Sequence, residues 1–206
     1  TQLKPEHISA YSLIIEEGTP FYEKYEADEL LREKGEVPKF LPTEEMERQM
    51  YDLTEAFLKE KGYYRYEISN YAKPGKECRH NVGYWERMDY LGLGLGASSL
   101  IANCRYSNPA DMDSYLHWTY DRPDPQSLTR QEQMEEYMFL GLRMMKGVSR
   151  ETFQQQFGMH IESVYGQVLK NLEQQGLLRS YEGMVQLTEK GIDVSNYVLA
   201  EFLLDC

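Results

Sequence analysis

Two apolar runs near the C-terminus, Leu177-Leu178-Arg179-Ser180-Tyr181 and Met184-Val185-Gln186-Leu187, are separated by only Glu182-Gly183. Two residues join two strands only as a tight hairpin, with backbone angles that favour glycine. Three helical stretches precede this hairpin. The first opens on Thr129-Arg130-Gln131-Glu132, the signature of a capping box, and carries Met134, Tyr137, Met138, Leu142 and Met145. The second is capped by Ser149, holds Phe153 and Phe157, and closes at Gly158. The third bears Ile161, Val164, Tyr165, Val168, Leu169 and Leu172 and ends at Gly176. After the hairpin, Thr188 caps a last helix running through Phe202. Three helices followed by a β-hairpin predict a winged-helix-like domain over residues 127–206.

Such domains often place their third helix in the DNA major groove. The charge here argues against that use. Residues 127–206 hold seven Lys and Arg against eleven Asp and Glu, and the third helix offers Lys170 against Glu162 and Glu173. The whole chain carries a net charge of -12. Nucleic-acid affinity comes largely from cations that neutralise phosphates. No nucleic-acid partner is therefore expected, and the domain reads as a packing or docking module.

The N-terminal part alternates element types. His7 to Ile15 is an apolar, strand-like run that Gly18-Thr19-Pro20 breaks. Residues 21–37 are acidic and read as a short surface helix or loop. Thr43 before Glu44-Glu45 marks a helix start, and Met46, Met50, Leu53 and Phe57 follow at helical spacing until Gly62. Tyr63 to Ala72 is rich in aromatics and reads as a strand. Strand, helix, strand predicts a βαβ unit with parallel pairing. One such unit is too little for a closed barrel. With Thr1 rather than Met at its start, the chain is expected to be the C-terminal portion of a longer protein. Residues 74–87 read as a loop, and Tyr90 to Ile101 as a glycine-rich strand and turn. Prolines and aspartates at 109–126 read as a linker between domains 1–108 and 127–206.

Three cysteines, Cys78, Cys104 and Cys206, are too few and too widely spaced for a disulfide framework, a zinc site or an iron–sulfur site. A reducing, cytoplasmic compartment is expected. No apolar run approaches the ~20 residues of a membrane span.

Two stretches concentrate chemistry. Arg79-His80-Asn81-Val82-Gly83-Tyr84-Trp85 sets an imidazole beside an amide, two aromatics and a guanidinium. Tyr84 and Trp85 are candidate walls of a slot for a planar ligand. His80 is a candidate iron ligand, and Arg79 a candidate partner for carboxylates. The bland reading makes Tyr84 and Trp85 core anchors and leaves His80 satisfying backbone groups. Gly92-Leu93-Gly94-Leu95-Gly96-Ala97-Ser98 lacks the spacing of a dinucleotide fingerprint. Its glycines permit close backbone approach, either to a ligand or to a neighbouring segment.

His7-Ile-Ser-Ala-Tyr-Ser-Leu13, Glu17-Gly-Thr-Pro20, Tyr66-Glu-Ile-Ser-Asn-Tyr-Ala72, His80-Asn-x-x-Tyr84-Trp85, Tyr90-x-Gly-x-Gly-x-Gly-Ala97 and the C-terminal module occur in an order that resembles one family. It is the radical S-adenosylmethionine proteins similar to oxygen-independent coproporphyrinogen III oxidase, particularly the branch regarded as haem chaperones. The resemblance covers nearly the whole chain. It implies an α+β or α/β fold: the C-terminal portion of a partial (β/α) barrel, a glycine-rich strand extension, then the winged-helix-like domain. It implies a [4Fe-4S] cluster and S-adenosylmethionine in the full-length protein only, with no catalytic residue in this chain and no activity of this chain alone. Ser9, Gly96 and Ser98 would line the S-adenosylmethionine pocket. His80, Asn81, Tyr84 and Trp85 would contact haem, which haem-acceptor proteins then receive. Relatives often carry histidine where Ser98 stands, so no role of that histidine carries over. Two other functions remain open: oxidative decarboxylation of coproporphyrinogen III, with Arg79 on a propionate, and a winged-helix regulatory or adaptor protein.

Overall fold

A computed structural model describes residues 3–117 and 125–204. The chain forms two compact units, residues 1–77 and 78–206. Of the segment 109–126 read as a linker, residues 118–124 lie outside the described residues, and Met112–His117 forms a short helix.

The first unit contains β1 (His7–Ser9), α1 (Pro20–Glu33), α2 (Glu44–Glu60), β2 (Tyr64–Glu67) and β3 (Asn70–Ala72). Thr19 and Thr43 cap the two helices, accepting from Tyr22 N and Met46 N at 3.2 and 3.3 Å. The expected parallel βαβ pairing is corrected. The strands lie in the order β1-β3-β2 and every pair is antiparallel, with Ile8 opposite Tyr71. The stretch expected as one strand, Tyr63 to Ala72, folds back at Ile68-Ser69. Its second arm therefore meets β1 running the opposite way. Glu67 stabilises the reversal: its Oε1 accepts from Ser69 N at 2.8 Å and Asn70 Nδ2 at 2.5 Å, with Glu67 and Asn70 buried. Leu58, Tyr63 and Tyr71 form the core, with Ile8 and Ala10 against it. Asp28 is buried in α1, where its Oδ2 accepts from Phe40 N (2.6 Å) and Leu41 N (2.8 Å) and so anchors the approach to α2. The helical stripe Met46, Met50, Leu53 and Phe57 is exposed.

The second unit contains α3 (Arg79–Trp85), β4 (Ser98–Ile101), β5 (Cys104–Ser107), α4 (Met112–His117), β6 (Gln126–Ser127), α5 (Arg130–Gly141), β7 (Val148–Ser149), α6 (Arg150–Phe157), α7 (Glu162–Gln174), β8 (Leu178–Tyr181), β9 (Met184–Leu187), α8 (Glu189–Asp193) and α9 (Ser195–Ala200). The capping box at Thr129 is formed in both directions. Gly158 ends α6 in the left-handed conformation, φ 64°. Glu182 and Gly183 both have positive φ, 49° and 80°, as a two-residue primed turn requires. The hairpin gains a third strand, β7, giving the antiparallel order β7-β9-β8. The core runs through fully buried Met138, Leu142, Phe153, Tyr165, Val198 and Phe202. Its aromatics meet edge to face, Phe153 with Tyr137 at 5.5 Å and Tyr165 with Phe202 at 5.3 Å. The single last helix expected from Thr188 is corrected to two, because the backbone turns at Val194.

Two sequence expectations between 74 and 101 also change. Residues 79–85 form a helix, not a loop, and the regular strand of the glycine-rich stretch begins only at Ser98. Before it, Tyr90 alone pairs with Leu100.

Candidate functional site

Helix α3 is short and starts without a side-chain cap. It is continued at its end by Glu86 N to Val82 O (2.9 Å) and Met88 N to Gly83 O (2.9 Å). Residues four apart share a helix face, whereas residues five apart are about 140° around the axis. His80 and Tyr84 accordingly pack together, ring centroids 4.6 Å apart and edge to face. Tyr84 in turn meets Tyr90 at 4.6 Å, again edge to face. His80 and Arg79 are exposed, while Asn81, Tyr84 and Trp85 are half-buried.

Trp85 is engaged elsewhere. The guanidinium of Arg143 lies 4.5 Å from its ring centroid, a cation–π contact within the second unit. Trp85 also lines a cleft of about 340 Å³ together with Met88, Tyr137, Met144, Val148 and Met184. The geometry thus joins His80 to Tyr84 and assigns Trp85 to a separate surface.

The glycine-rich stretch is held firmly. Asn108 Nδ2 donates to Gly92 O (3.1 Å) and Gly94 O (2.9 Å), Ser99 Oγ accepts from Gly92 N (2.9 Å), and Gly96 N donates to Pro109 O (2.8 Å). A Cβ on Gly92 would lie 2.2 Å from Ser98 O, so only glycine fits. Beside the glycines, Leu91, Leu93 and Leu95 face solvent, as does Met88. Sequence reasoning missed these four and Tyr90. The alternation of leucine with glycine was the available signal, because Gly92 packs against Ser98 while the leucines beside it stay outside.

Gly96 is exposed, and Ser98 Oγ shares a hydrogen bond with Ser107 Oγ at 2.9 Å. Ser9 belongs to the first unit, where its Oγ donates to Asn70 Oδ1 at 2.5 Å. That unit has its own cleft of about 340 Å³, lined by Tyr11, Leu13, Arg32, Glu47, Met50 and Tyr51 among others. Burial pushes the Tyr51 phenol up to about 12. Among the described residues no group of three or more His, Cys, Asp or Glu is placed to hold a metal ion. Cys78 and Cys104 are free thiols. These residues do not fit a three-cysteine cluster site. Among the described residues no helix is long and apolar enough to cross a membrane.

Residues 128–194 match the HemN C-terminal domain family. The heme chaperone HemW of Bacillus subtilis (strain 168) is 37% identical over 205 residues, spanning 98% of this chain and 52% of that protein. The chain belongs to the HemN/HemW-like family. A second member, the heme chaperone HemW of Lactococcus lactis subsp. lactis (strain IL1403), is also 37% identical, over 99% of this chain and 52% of its own length. The chain thus spans about half the length of these HemW relatives and matches their C-terminal half. The fold is shared with the solved structure of coproporphyrinogen III oxidase (HemN) from Escherichia coli, a radical SAM enzyme. That superposition has a TM-score of 0.69 at 19% identity and covers 98% of this chain and 49% of the HemN chain.

Proposed function

We propose that this chain carries the haem-binding part of a haem chaperone, with His80 as an iron ligand and Tyr84 beside it. The observation that carries the reading is the exposed His80 ring packed against Tyr84 at 4.6 Å on a helix, in a chain whose relatives include heme chaperones. An accessible neutral imidazole ligates haem iron through a ring nitrogen. A tetrapyrrole also needs apolar contact for its faces, and Met88, Leu91, Leu93 and Leu95 are exposed in the same unit. Haem is here the cargo, received at His80 and passed to acceptor proteins. Asn81 and Trp85 belong to the same motif and are proposed as further haem contacts, Trp85 through the cleft it shares with Met88.

S-adenosylmethionine and a [4Fe-4S] cluster go with the longer proteins of this family. The cysteine ligands of that cluster are not among the described residues, and no step is routed through it. Ser9, Gly96 and Ser98 are each proposed as S-adenosylmethionine contacts in the longer protein. Of a partial (β/α) barrel, residues 7–15 are read as a late strand, and the residues after them through 108 as its extension. The three helices and antiparallel hairpin of the second unit are read as winged-helix-like. The acidic balance of that module favours packing or partner docking over nucleic acid. A cytoplasmic location fits the free thiols.

The second reading, oxidative decarboxylation of coproporphyrinogen III, rests on the exposed Arg79 one residue from His80, which offers a guanidinium to a propionate. One experiment separates the two. Full-length protein loaded with haem and mixed with a haem-free acceptor should lose its Soret band as the acceptor gains one. Anaerobic turnover of coproporphyrinogen III without haem transfer would replace the chaperone reading.

A further inference from the structure

We infer that Tyr90 is a positioning residue for His80, fixing the imidazole through the ring of Tyr84. This rests on the reading of His80 as the iron ligand. Tyr90 lies outside the helix that carries His80 and Tyr84, on the segment leading into the glycine-rich stretch. Its backbone is fixed on both sides by Leu100: Tyr90 N donates to Leu100 O at 2.8 Å, and Leu100 N donates to Tyr90 O at 3.0 Å. Leu100 is buried in β4, itself paired along its length with β5. The Tyr90 ring therefore hangs from a rigid sheet, not from a loose loop. It meets Tyr84 edge to face at 4.6 Å, and Tyr84 meets His80 edge to face at 4.6 Å.

The need for such a chain follows from the helix. α3 is seven residues long, has no side-chain cap, buries no residue fully and contains Gly83 between His80 and Tyr84. Short helices owe their order to what packs on them, not to their own propensity. An exposed histidine on such a helix would otherwise sample several rotamers and lose that freedom on ligating a metal. Successive T-shaped contacts from a sheet-anchored ring remove this freedom before the ligand arrives. Tyr90 thereby links the glycine-rich segment to the histidine, two features of the sequence with no motif in common.

The test compares the 206-residue chain with Tyr90→Leu, which fills the space without a ring, and Tyr90→Phe, which keeps the ring edge. In the haem-free protein, the His80 ring resonances are followed by NMR. Tyr90→Leu should shift and broaden them towards the values of a freely rotating histidine, and Tyr90→Phe should leave them in place. Haemin titration should show Tyr90→Leu weakened about three- to tenfold, the worth of one aromatic pair, with a broadened Soret band, and Tyr90→Phe within about twofold. His80 resonances unmoved in a folded Tyr90→Leu protein would overturn the inference, whatever the haem result. If Tyr90→Leu does not fold, Tyr90→Phe decides alone: His80 resonances disordered in it would overturn a role of the ring edge. Failure of the parent chain to bind haemin, with the NMR effect present, would count against the function of His80 and not against its positioning.

Discussion

Arg87 Nε donates to Glu136 Oε2 at 2.8 Å, and the two side chains are only 4% and 7% exposed. The other carboxylate oxygen of Glu136 takes Arg105 Nη2 at 2.7 Å, while Arg87 Nη2 reaches Asn103 Oδ1 at 3.1 Å. One carboxylate on α5 thus holds the turn after α3 and the hairpin β4–β5. Removing it would leave the Arg87 charge buried without a counter-ion, which costs far more than losing a surface pair. Glu136→Ala is expected to lower unfolding stability by about 3–5 kcal/mol, read as a fall in the urea midpoint. A loss under about 1 kcal/mol would mean that water reaches Arg87 and that the pair behaves as an exposed one.

Two glycines, one within the candidate site and one beside it, should respond with opposite signs. A Cβ at Gly83, inside α3, would meet only Met88, at 3.7 Å from Sδ and 3.9 Å from Cβ, both ordinary contacts. Alanine is a better helix former by about 0.8–1 kcal/mol, so Gly83→Ala should raise the melting temperature. Gly92→Ala would press its Cβ to 2.2 Å from Ser98 O and should cost about 1–3 kcal/mol through forced backbone movement. Thermal melts of the two variants decide this. A stable Gly92→Ala protein would show that the segment is not held against β4.

Asp28 sets part of the acid limit of the first unit. Burial by itself would raise its carboxyl, but the backbone N–H groups of Leu41, Phe40 and Lys39 outweigh that and hold it below its ordinary 3.8. A lowered folded pKa stabilises the fold above the unfolded value, and that contribution is lost as the pH falls through the folded pKa. Urea midpoints of the parent should therefore fall on acidification below about pH 4, and Asp28→Asn should flatten that part of the profile. Identical profiles in the two proteins would remove Asp28 from the account.

What was legible in the sequence was local. The caps at Thr43, Thr129, Ser149 and Thr188, the left-handed Gly158 and the Glu182-Gly183 turn each depend on residues within four positions. The strand β7 escaped because two residues, Val148 and Ser149, carry no periodicity, and its partner β9 lies far along the chain. The antiparallel pairing of β1 with β3 escaped for a similar reason: it depends on a reversal at Ile68-Ser69 made by the buried Glu67 carboxylate, not by a glycine or proline. In the site, the run of chemistry-bearing side chains at 79–85 singled out His80 and Tyr84, and their haem contact is what the family resemblance implies. Their separation from Trp85 required knowing that residues 79–85 are helical, and a capless helix after Pro74-Gly75 leaves little mark. Tyr90 was hidden because its contact with Tyr84 joins two segments that local patterns treat separately.

Ligation of haem iron by His80 is decided by optical titration of the 206-residue chain with haemin beside His80→Ala. A saturable Soret shift is expected in the parent chain and is expected to be lost in His80→Ala, with both proteins equally folded. Equal affinity in the two proteins would contradict it.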